Sequence, residues 1–372
     1  MKKQHISIIP LKILVIIFFL FIGSLSSKAY LPDSTRYKLE DFDTLTSTIE
    51  KNLAHYPYIM PIYAKEYSKM KKTVRRQILQ GKDMESAACD YMFWFYSKFD
   101  GHCYVQSHKF WSQYDSKLHT KYTELMDYDP QPVAQAVDVQ TFLVRVPSCV
   151  GKNPSFAWVD SAAVAFENSK CPYLILDVRG NTGGSDAIWQ PFFKLLMDKR
   201  PENPWRVIFR KTPRNMRIFG DNPQDSIGAQ MRQRVENYKG AFVPLTGDDE
   251  DDFSFEPMTS NLKKCAVIID NRTASSAETI VRFAKDCCSR AKIYGRDNTS
   301  GAQLSGNILT VQLPHSHVNC DYPTCIDTDF IKQIQTKQRG IAPDVRLDIP
   351  LPSSLKANVD SWVLWVAKDL EK

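Results

Sequence analysis

The chain has 372 residues and a formal net charge of +6 at pH 7, from 48 Lys and Arg against 42 Asp and Glu. With 43% hydrophobic and 24% charged residues it has an ordinary globular composition, which excludes collagen-like, coiled-coil, polytopic membrane and disordered chains. Four basic residues lie in the first 29 positions, which hold no acid, and removing them leaves 44 basic against 42 acidic residues. This near balance gives no reason to expect a nucleic-acid partner.

Residues 1–29 have the pattern of a secretory signal peptide. A basic start precedes ten uninterrupted apolar residues, Ile13–Ile22, and Ser27-Lys28-Ala29 offers a small-x-small exit. The pattern predicts an exported protein, periplasmic or extracellular. The alternative is a retained membrane anchor, although this apolar run is short of the roughly 20 residues that a spanning helix needs. A membrane is an expected partner only if the leader is retained.

Residues 30–130 are predicted to form a helical N-terminal region. Leu39, Phe42, Leu45 and Ile49 recur at the three- and four-residue steps of one helix face. A second helical stretch, Met84–Lys98, is rich in aromatic residues and stops before the turn Asp100-Gly101-His102.

Residues 131–372 are predicted to form the core domain, because hydrophobic strands alternate there with helices. Strands joined through helices indicate a largely parallel sheet with both faces covered, an α/β architecture. The predicted strands are Thr141–Pro147, Cys171–Val178, Cys265–Asp270, Ala291–Gly295, Leu304–Leu313 and Val345–Leu347, and the predicted helices are Ser155–Asn168, Ser185–Asp198, Ala274–Cys288 and Leu355–Leu370.

An insertion at about residues 201–257 interrupts this alternation. It is polar and carries an acidic run, Asp248–Asp252. The run is interpreted as a solvated loop, since the alternating ligand spacing of a calcium loop is missing. The insertion is a candidate lid over a site.

All nine cysteines follow the leader. An oxidising compartment would permit disulfides, and an odd count leaves at least one thiol unpaired. A pair between Cys320 and Cys325 would close a short loop. Cys171 and Cys265 lie in predicted buried strands, where cysteine acts as a small apolar residue.

Three segments carry residues suited to chemistry. Asn271–Glu278 follows a strand and opens a helix, where a serine hydroxyl meets free backbone N–H groups and the positive end of the helix dipole. Such a position suits a nucleophile that develops an oxyanion beside it. Leu176–Gly184 is a glycine-rich turn that presents backbone donors, and Phe99–His102 places a histidine in a turn.

Each segment also has an ordinary structural interpretation. Ser and Thr are common helix N-caps, so Ser275 alone is not diagnostic. The glycine turn lacks the motifs of phosphate-binding loops. A single histidine in a turn is most often structural.

Together these segments resemble the tail-specific, or C-terminal processing, serine peptidases. The matching blocks are Asp177–Gly184, Thr273–Glu278 and Gly340–Asp344, and the resemblance spans roughly residues 141–350. It implies a crotonase/ClpP-like α/β core that uses no cofactor. It further implies Ser275 as nucleophile and an oxyanion hole built from the backbone N–H of Gly183 or Gly184 together with that of Ser276.

The sequence departs from that family at the general base. The block in which the bacterial enzymes carry a lysine reads Gly295–Ala302 here and has none. The tricorn-type branch instead uses an upstream histidine, and His102 is similar to that element, with an ordinary pKa of about 6.5 that suits a general base. The orienting glutamate of that branch is missing, because Lys337-Gln338-Arg339 stands in its place. Asp327, Asp329 or Glu278 are substitutes left open, as is the absence of any.

Two further features bear on the function. About forty residues separate His102 from the strand at Thr141, too few for the peptide-docking PDZ module usual in the family.

His315-Ser316-His317 near Cys320 is a tempting zinc motif, but its spacing matches no familiar site. It is interpreted as an exposed strand, and no metal is predicted.

These observations predict an exported serine endopeptidase that cleaves protein or peptide substrates through a Ser275 acyl-enzyme. The alternative is a catalytically inactive binding module on the same fold, which the absent lysine and the unlocated acid would explain. A crotonase-type acyl-CoA enzyme is a poor third alternative, since an exported protein would not meet that cofactor.

Overall fold

The structure is a computed structural model that describes residues 32–115, 127–203, 205–220, 226–245, 261–336 and 339–372. The predicted signal peptide, the acidic run Asp248–Asp252 and Lys337-Gln338 lie outside these residues. Within them, no helix is both long enough and apolar enough to span a membrane.

The chain order alternates helices and strands after an all-helical start. The helices are α1 (Asp33–Asn52), α2 (Tyr56–Leu79), α3 (Met84–Lys98), α4 (Phe156–Ser169), α5 (Gln190–Leu196), α6 (Ser226–Asn237), α7 (Ser276–Cys287), α8 (Asp329–Thr336) and α9 (Ser361–Leu370). The strands are β1 (Tyr104–Val105), β2 (Asp127–Tyr128), β3 (Val133–Ala136), β4 (Thr141–Arg145), β5 (Tyr173–Asp177), β6 (Val207–Arg210), β7 (Phe242–Pro244), β8 (Lys264–Ile269), β9 (Ala291–Gly295), β10 (Ser305–Gln312), β11 (Asn319–Asp327), β12 (Val345–Arg346) and β13 (Ser354–Leu355).

A six-stranded sheet in the order β12-β9-β8-β5-β4-β3 forms the centre of the core domain. All neighbours are parallel except β3, which runs antiparallel to β4. Side chains on one face, such as Leu174 and Val267, pack against α4, α5 and α7. Those on the other face, such as Ile175 and Ile268, pack against α9. The predicted α/β core with a covered parallel sheet is confirmed.

A second sheet joins the N-terminal helices to the core. Its main path is β1-β11-β6-β7, and β10 pairs with β11 in an antiparallel hairpin. The helices α1 and α3 bury side chains such as Phe42 and Tyr91 against the apolar face of this sheet, where Tyr322 also lies. The N-terminal region is therefore helical as predicted up to Lys98, but its β1 strand pairs with β11 from the distant C-terminal part.

The β11 strand changes the interpretation of the cysteines. Cys320 and Cys325 lie on this one extended strand, five positions apart, so roughly 16 Å separates them. A disulfide needs Cα atoms within about 7 Å, and the expected short loop does not form. All nine cysteines are free and buried. Burial raises the pKa of both Cys149 and Cys325 to about 12, which keeps them as neutral thiols at pH 7.

Two other segments differ from their predicted form. The described parts of the insertion contain β6, β7 and α6, so its ends belong to the second sheet.

His315-Ser316-His317 is not a strand but the turn between β10 and β11. There Asp41 accepts the His315 and Ser316 backbone N–H groups, at 2.9 and 2.8 Å, and the His315 imidazole lies 2.8 Å from Glu40. The turn thus docks onto α1.

A buried ion-pair network lies at the carboxyl ends of β4 and β5. Asp177 pairs with Arg145 at 2.7 Å and with Arg179 at 2.6 Å, and Asp360 at the start of α9 pairs with the same two guanidinium groups. All four side chains are at most 2% exposed. Burial alone would raise the pKa of Asp177, but the two arginines hold that pKa well below its usual range.

We predict that Asp177→Asn destabilises the protein by about 3 kcal/mol or more, because it leaves two buried guanidinium groups facing one carboxylate. The midpoint of urea unfolding at pH 7 measures this loss. Asp43→Asn, in an ion pair with Arg75 whose side chains are about half exposed, is the matched control and should change stability by less than about 1 kcal/mol. Equal effects of the two substitutions would contradict the importance of the buried network.

The same network predicts a dependence on pH. A folded-state pKa below the unfolded value of about 3.9 means that the stabilisation by Asp177 is complete above that pH and is lost as the pH falls below it. The wild type should therefore lose more stability on acidification than Asp177→Asn does.

Candidate active site

Ser275 lies at the junction of β8 and α7, near the centre of the main sheet. The turn before it is fixed by Asp270, a buried carboxylate whose Oδ1 accepts the backbone N–H groups of Arg272 and Thr273 at 2.9 and 3.0 Å. Its Oδ2 accepts the N–H of Gly180 at 3.0 Å. One side chain therefore ties the turn that carries Ser275 to the glycine-rich turn after β5.

The backbone of Ser275 is not that of an ordinary helix cap. Its φ is 53° and its ψ is −123°, whereas a capping residue has extended dihedrals and a negative φ. A non-glycine residue at this conformation is strained, and such strain is characteristic of serine nucleophiles on sharp strand-to-helix turns. The conformation of Ser275 therefore differs from that of an ordinary N-cap, although Glu278 makes the capping-box contact to its backbone N–H.

Glu278, one turn into α7, holds Ser275 in this conformation. Its fully buried carboxylate accepts the backbone N–H of Ser275 at 2.9 Å, those of Gly301 and Ala302 at 2.9 and 2.7 Å, and the hydroxyl of Thr299. Burial raises the pKa of Glu278 even though these hydrogen bonds oppose the shift. The carboxylate joins Ser275 to the 299–302 segment, which replaces the lysine-bearing block of the bacterial enzymes.

The glycine-rich turn approaches Ser275 closely. Gly183 has a φ of +100°, and a Cβ there would lie 2.7 Å from the Cβ of Ser275 and 2.9 Å from the carbonyl oxygen of Ala274. The fully buried Asn181 fixes the turn, since its carbonyl oxygen accepts the Ala274 N–H at 2.9 Å. Only glycine at position 183 allows this contact.

The backbone amides around Ser275 differ in their availability. The N–H of Gly183 donates to Asn181 Oδ1 at 2.9 Å. Among the described residues, the amides of Gly184 and Ser276 have no protein acceptor. Gly184 lines the cavities on either side of Ser275, and Ser276 lines one of them. Of the two glycines predicted as oxyanion donors, Gly184 has its N–H free.

His102 comes to the same cleft from the N-terminal region. Its ring is buried, and its Nδ1 lies 2.7 Å from Ser305 Oγ and 3.2 Å from Asp100 Oδ1. His102 and Ser275 line one cavity of about 460 Å³. No hydrogen bond joins the two side chains in the part of the chain that the structure describes, a separation common before substrate binds.

The acids left open as partners of this histidine are engaged elsewhere. Asp327 and Asp329 both pair with Arg282, at 2.8 and 3.1 Å, and Glu278 is saturated as described above. The carboxylate beside the imidazole is instead Asp100, in the same Asp-Gly-His turn. The sequence pattern contained this residue but gave it no role, because a spacing of two along the chain does not show that the side chains meet.

The cleft continues to both sides of Ser275. On one side it is lined by large apolar and aromatic side chains, among them Tyr104, Trp111 and Ile308. On the other side is a cavity of about 400 Å³ with Asp186 and Asn307 on its wall. Ser275, Gly184 and Ala302 belong to both cavities, so an extended chain could cross the serine.

A serine-hydrolase arrangement on a crotonase-like core defines the class of this protein. The sequence profile of peptidase family S41 matches residues 141–347, more than half of the chain. The chain therefore belongs to peptidase family S41, the tail-specific proteases, and is a serine peptidase.

Two solved structures of mature CPAF share the fold at low sequence identity. Mature CPAF in complex with lactacystin is 12% identical, with 91% of this chain and 98% of that chain covered and a TM-score of 0.59. Mature CPAF alone is likewise 12% identical, with 92% and 97% covered and a TM-score of 0.54. A peptidase from Parabacteroides merdae is 17% identical, with 84% and 90% covered and a TM-score of 0.48. No curated protein sequence matches the chain.

We predict that Gly183→Ala abolishes reaction of Ser275 with a fluorophosphonate probe, because the new methyl group would push the serine out of place. Labelling rate and thermal melting are measured together. Gly81 has the same φ of +100°, but a Cβ added there would meet no atom within 4 Å, so Gly81→Ala carries the backbone strain alone. It should lose about 1 kcal/mol of stability and keep its labelling rate. Normal labelling of a folded Gly183→Ala protein would contradict the close approach.

Proposed function

We propose that this protein is an exported endopeptidase that cleaves peptide bonds through a covalent Ser275 acyl-enzyme. The observation that carries the proposal is the strained, positive-φ conformation of Ser275 at the start of α7, held there by Glu278 and adjoined by two free amides. A capping glutamate and free first-turn amides also occur at ordinary helix starts, so the positive φ of Ser275 is the feature that an ordinary N-cap lacks.

In the proposed reaction Ser275 Oγ attacks the scissile carbonyl carbon, and His102 takes the hydroxyl proton. The carbonyl oxygen gains negative charge and is stabilised by the N–H groups of Gly184 and Ser276, near the positive end of the α7 dipole. Collapse of the tetrahedral intermediate transfers the proton from His102 to the leaving amine. Water, deprotonated by the same imidazole, then releases the acyl group.

The cleft supports a protein or peptide as the substrate. It is open on both sides of Ser275, which suits a chain that continues beyond the scissile bond in both directions. Its aromatic side favours a large apolar residue next to that bond. Binding without turnover, the alternative function, has no specific observation in its favour, because a binding module would not need a strained serine.

We predict that a fluorophosphonate probe labels the folded wild type and that Ser275→Ala abolishes the labelling. The signal is read by gel fluorescence, with circular dichroism as a check on folding. Ser300 lines the same cavity without contacting the proposed machinery through its hydroxyl, so Ser300→Ala is the matched control and should keep its labelling. Failure of the folded wild type to react would sink the proposed mechanism.

Export is the second element of the proposal, and the leader pattern supports it. We predict that the mature protein begins at Tyr30, after the Ser27-Lys28-Ala29 exit. N-terminal peptide mass spectrometry on the periplasmic and extracellular fractions checks this. An intact Met1 terminus confined to the membrane fraction would instead show a retained anchor.

A further inference from the structure

We infer that Asp100 and His55 are positioning residues for the proposed reaction, with Asp100 holding the His102 imidazole and His55 holding Asp100. The inference rests on the proposed function. It gives His102 an acidic partner that replaces the glutamate missing from this chain.

The carboxylate of Asp100 connects two imidazoles. Its Oδ1 accepts the backbone N–H of His102 at 2.9 Å and lies 3.2 Å from the Nδ1 of the same residue. Its Oδ2 lies 3.2 Å from His55 Nε2. Asp100 is 1% exposed and His55 is fully buried, so water does not compete for these contacts.

The two imidazoles, of His102 and His55, favour the ionised carboxylate of Asp100, which is the form that the proposed reaction needs. Burial alone would raise the pKa of Asp100, but the two neighbouring imidazoles, of His102 and His55, hold it well below its usual range. A carboxylate beside Nδ1 favours the tautomer of His102 that carries its proton on Nδ1. That tautomer leaves Nε2 free to accept the Ser275 proton.

The packing of His55 holds its ring next to Asp100. It follows α1, and its ring stacks on Phe330 of α8 with centroids 4.8 Å apart and planes at 19°. Neither its Nδ1 nor the Asp100 Oδ2 that faces its Nε2 has a hydrogen-bond partner among the described residues. The 3.2 Å approach of Nε2 to Asp100 Oδ2 is therefore an electrostatic contact, and it favours a His55 ring that carries a proton on Nε2.

Lys337-Gln338-Arg339 stands where the tricorn-type branch has its glutamate, and the cationic side chain of Arg339 cannot accept a proton from the imidazole of His102. Arg339 donates from Nε to the carbonyl oxygen of Ser300 at 2.6 Å, and its Nη1 donates to that of Tyr96. Arg339 thus fastens its segment to the 299–302 segment. The carboxylate that orients the base comes in this chain from the Asp-Gly-His turn itself.

The test compares two substitutions at one position. His55→Phe keeps the ring stacked on Phe330 and removes the donor, whereas His55→Gln places an amide nitrogen near the position of Nε2. The readouts are the fluorophosphonate labelling rate, kcat and KM on a cleaved peptide, and the low-field proton NMR signal of a histidine Nδ1–H. His102→Ala gives the rate without the base.

We expect Asp100→Asn to lower the labelling rate by about 10²-fold or more and His55→Phe by about 10-fold. His55→Gln should restore most of the rate. The loss should appear in kcat with KM unchanged, because no substrate-contacting side chain is altered. The low-field proton should be present in wild type and His55→Gln and absent in Asp100→Asn. If His55→Phe does not fold, the isosteric Asp100→Asn carries the test.

Two controls test the rival explanations. Ser305 Oγ also lies near His102 Nδ1, so an unchanged His55→Phe together with a slow Ser305→Ala would overturn the inference in favour of the hydroxyl. Cys103 Sγ lies 3.7 Å from His55 Nε2, and these two residues with Asp100 have the donor set of a metal site. Cys103→Ala and chelator should leave the rate unchanged. A rate lost on chelation and restored by Zn²⁺ would mean that a metal holds Asp100.

The outcomes separate this inference from the proposed function. A wild type that does not react contradicts the role of Ser275. A reactive wild type whose His55→Phe and Asp100→Asn variants react at the same rate contradicts the positioning role alone.

Discussion

The site depends on one buried negative charge, the carboxylate of Glu278. A carboxylate removed from water must be compensated, and here the compensation consists of four donors from two parts of the chain, Ser275 and the 299–302 segment. Satisfying this group draws the N–H of Ser275, the start of α7 and the 299–302 segment to one point. The unusual conformation of Ser275 is a consequence, because the same backbone must also pass Gly183 at van der Waals distance.

Further hydrogen bonds connect the surroundings of Glu278 to the rest of the cleft. Thr299, which donates to Glu278, accepts the backbone N–H of Ile341 at 2.7 Å. The late Gly-Ile-Ala-Pro-Asp block is thereby attached to the segment behind the serine. On the opposite side, Asp270 and Asn181 attach the glycine-rich turn to the approach of α7. The nucleophile and the proposed oxyanion donors thus belong to one connected backbone scaffold.

The proposed base comes from a different part of the molecule. His102 and Asp100 follow α3, and the strand that begins two residues later pairs with β11 in the second sheet. Ser305, beside the imidazole, starts the β10 strand of the same sheet. The proposed arrangement therefore joins residues of the core to residues that lie where the second sheet and the N-terminal helices pack together.

Local patterns were sufficient to predict the parallel core, because β4, β5 and β8 are short hydrophobic runs that each precede a helix. The bounds of Met84–Lys98 and Ala291–Gly295 were predicted to the residue. The resemblance to the family also pointed to Ser275, His102 and the glycine-rich turn, which the structure brings to one cleft. What these patterns could not show were contacts between distant parts of the chain.

The failures have that physical cause. The strand β11 was not predicted, because Pro323 and burial on both faces remove the alternating pattern of a strand. For the same reason the sequence did not show that Cys320 and Cys325 lie on one extended strand. The hairpin turn at His315 resembled a strand because its docking partner, Asp41, lies more than 270 positions away. The role of Asp100 required knowledge of where His55 packs, and no local spacing encodes that.

The central claim is that Ser275 forms the acyl-enzyme, and the most direct measurement is mass spectrometry of the covalent intermediate. The protein is mixed with an activated acyl ester, quenched in acid at short times, digested and mapped. We expect an acyl group on the peptide that contains Ser275, appearing before the steady state and absent from Ser275→Ala. Turnover of the ester without any adduct on that peptide, or with the adduct on another residue, would contradict it.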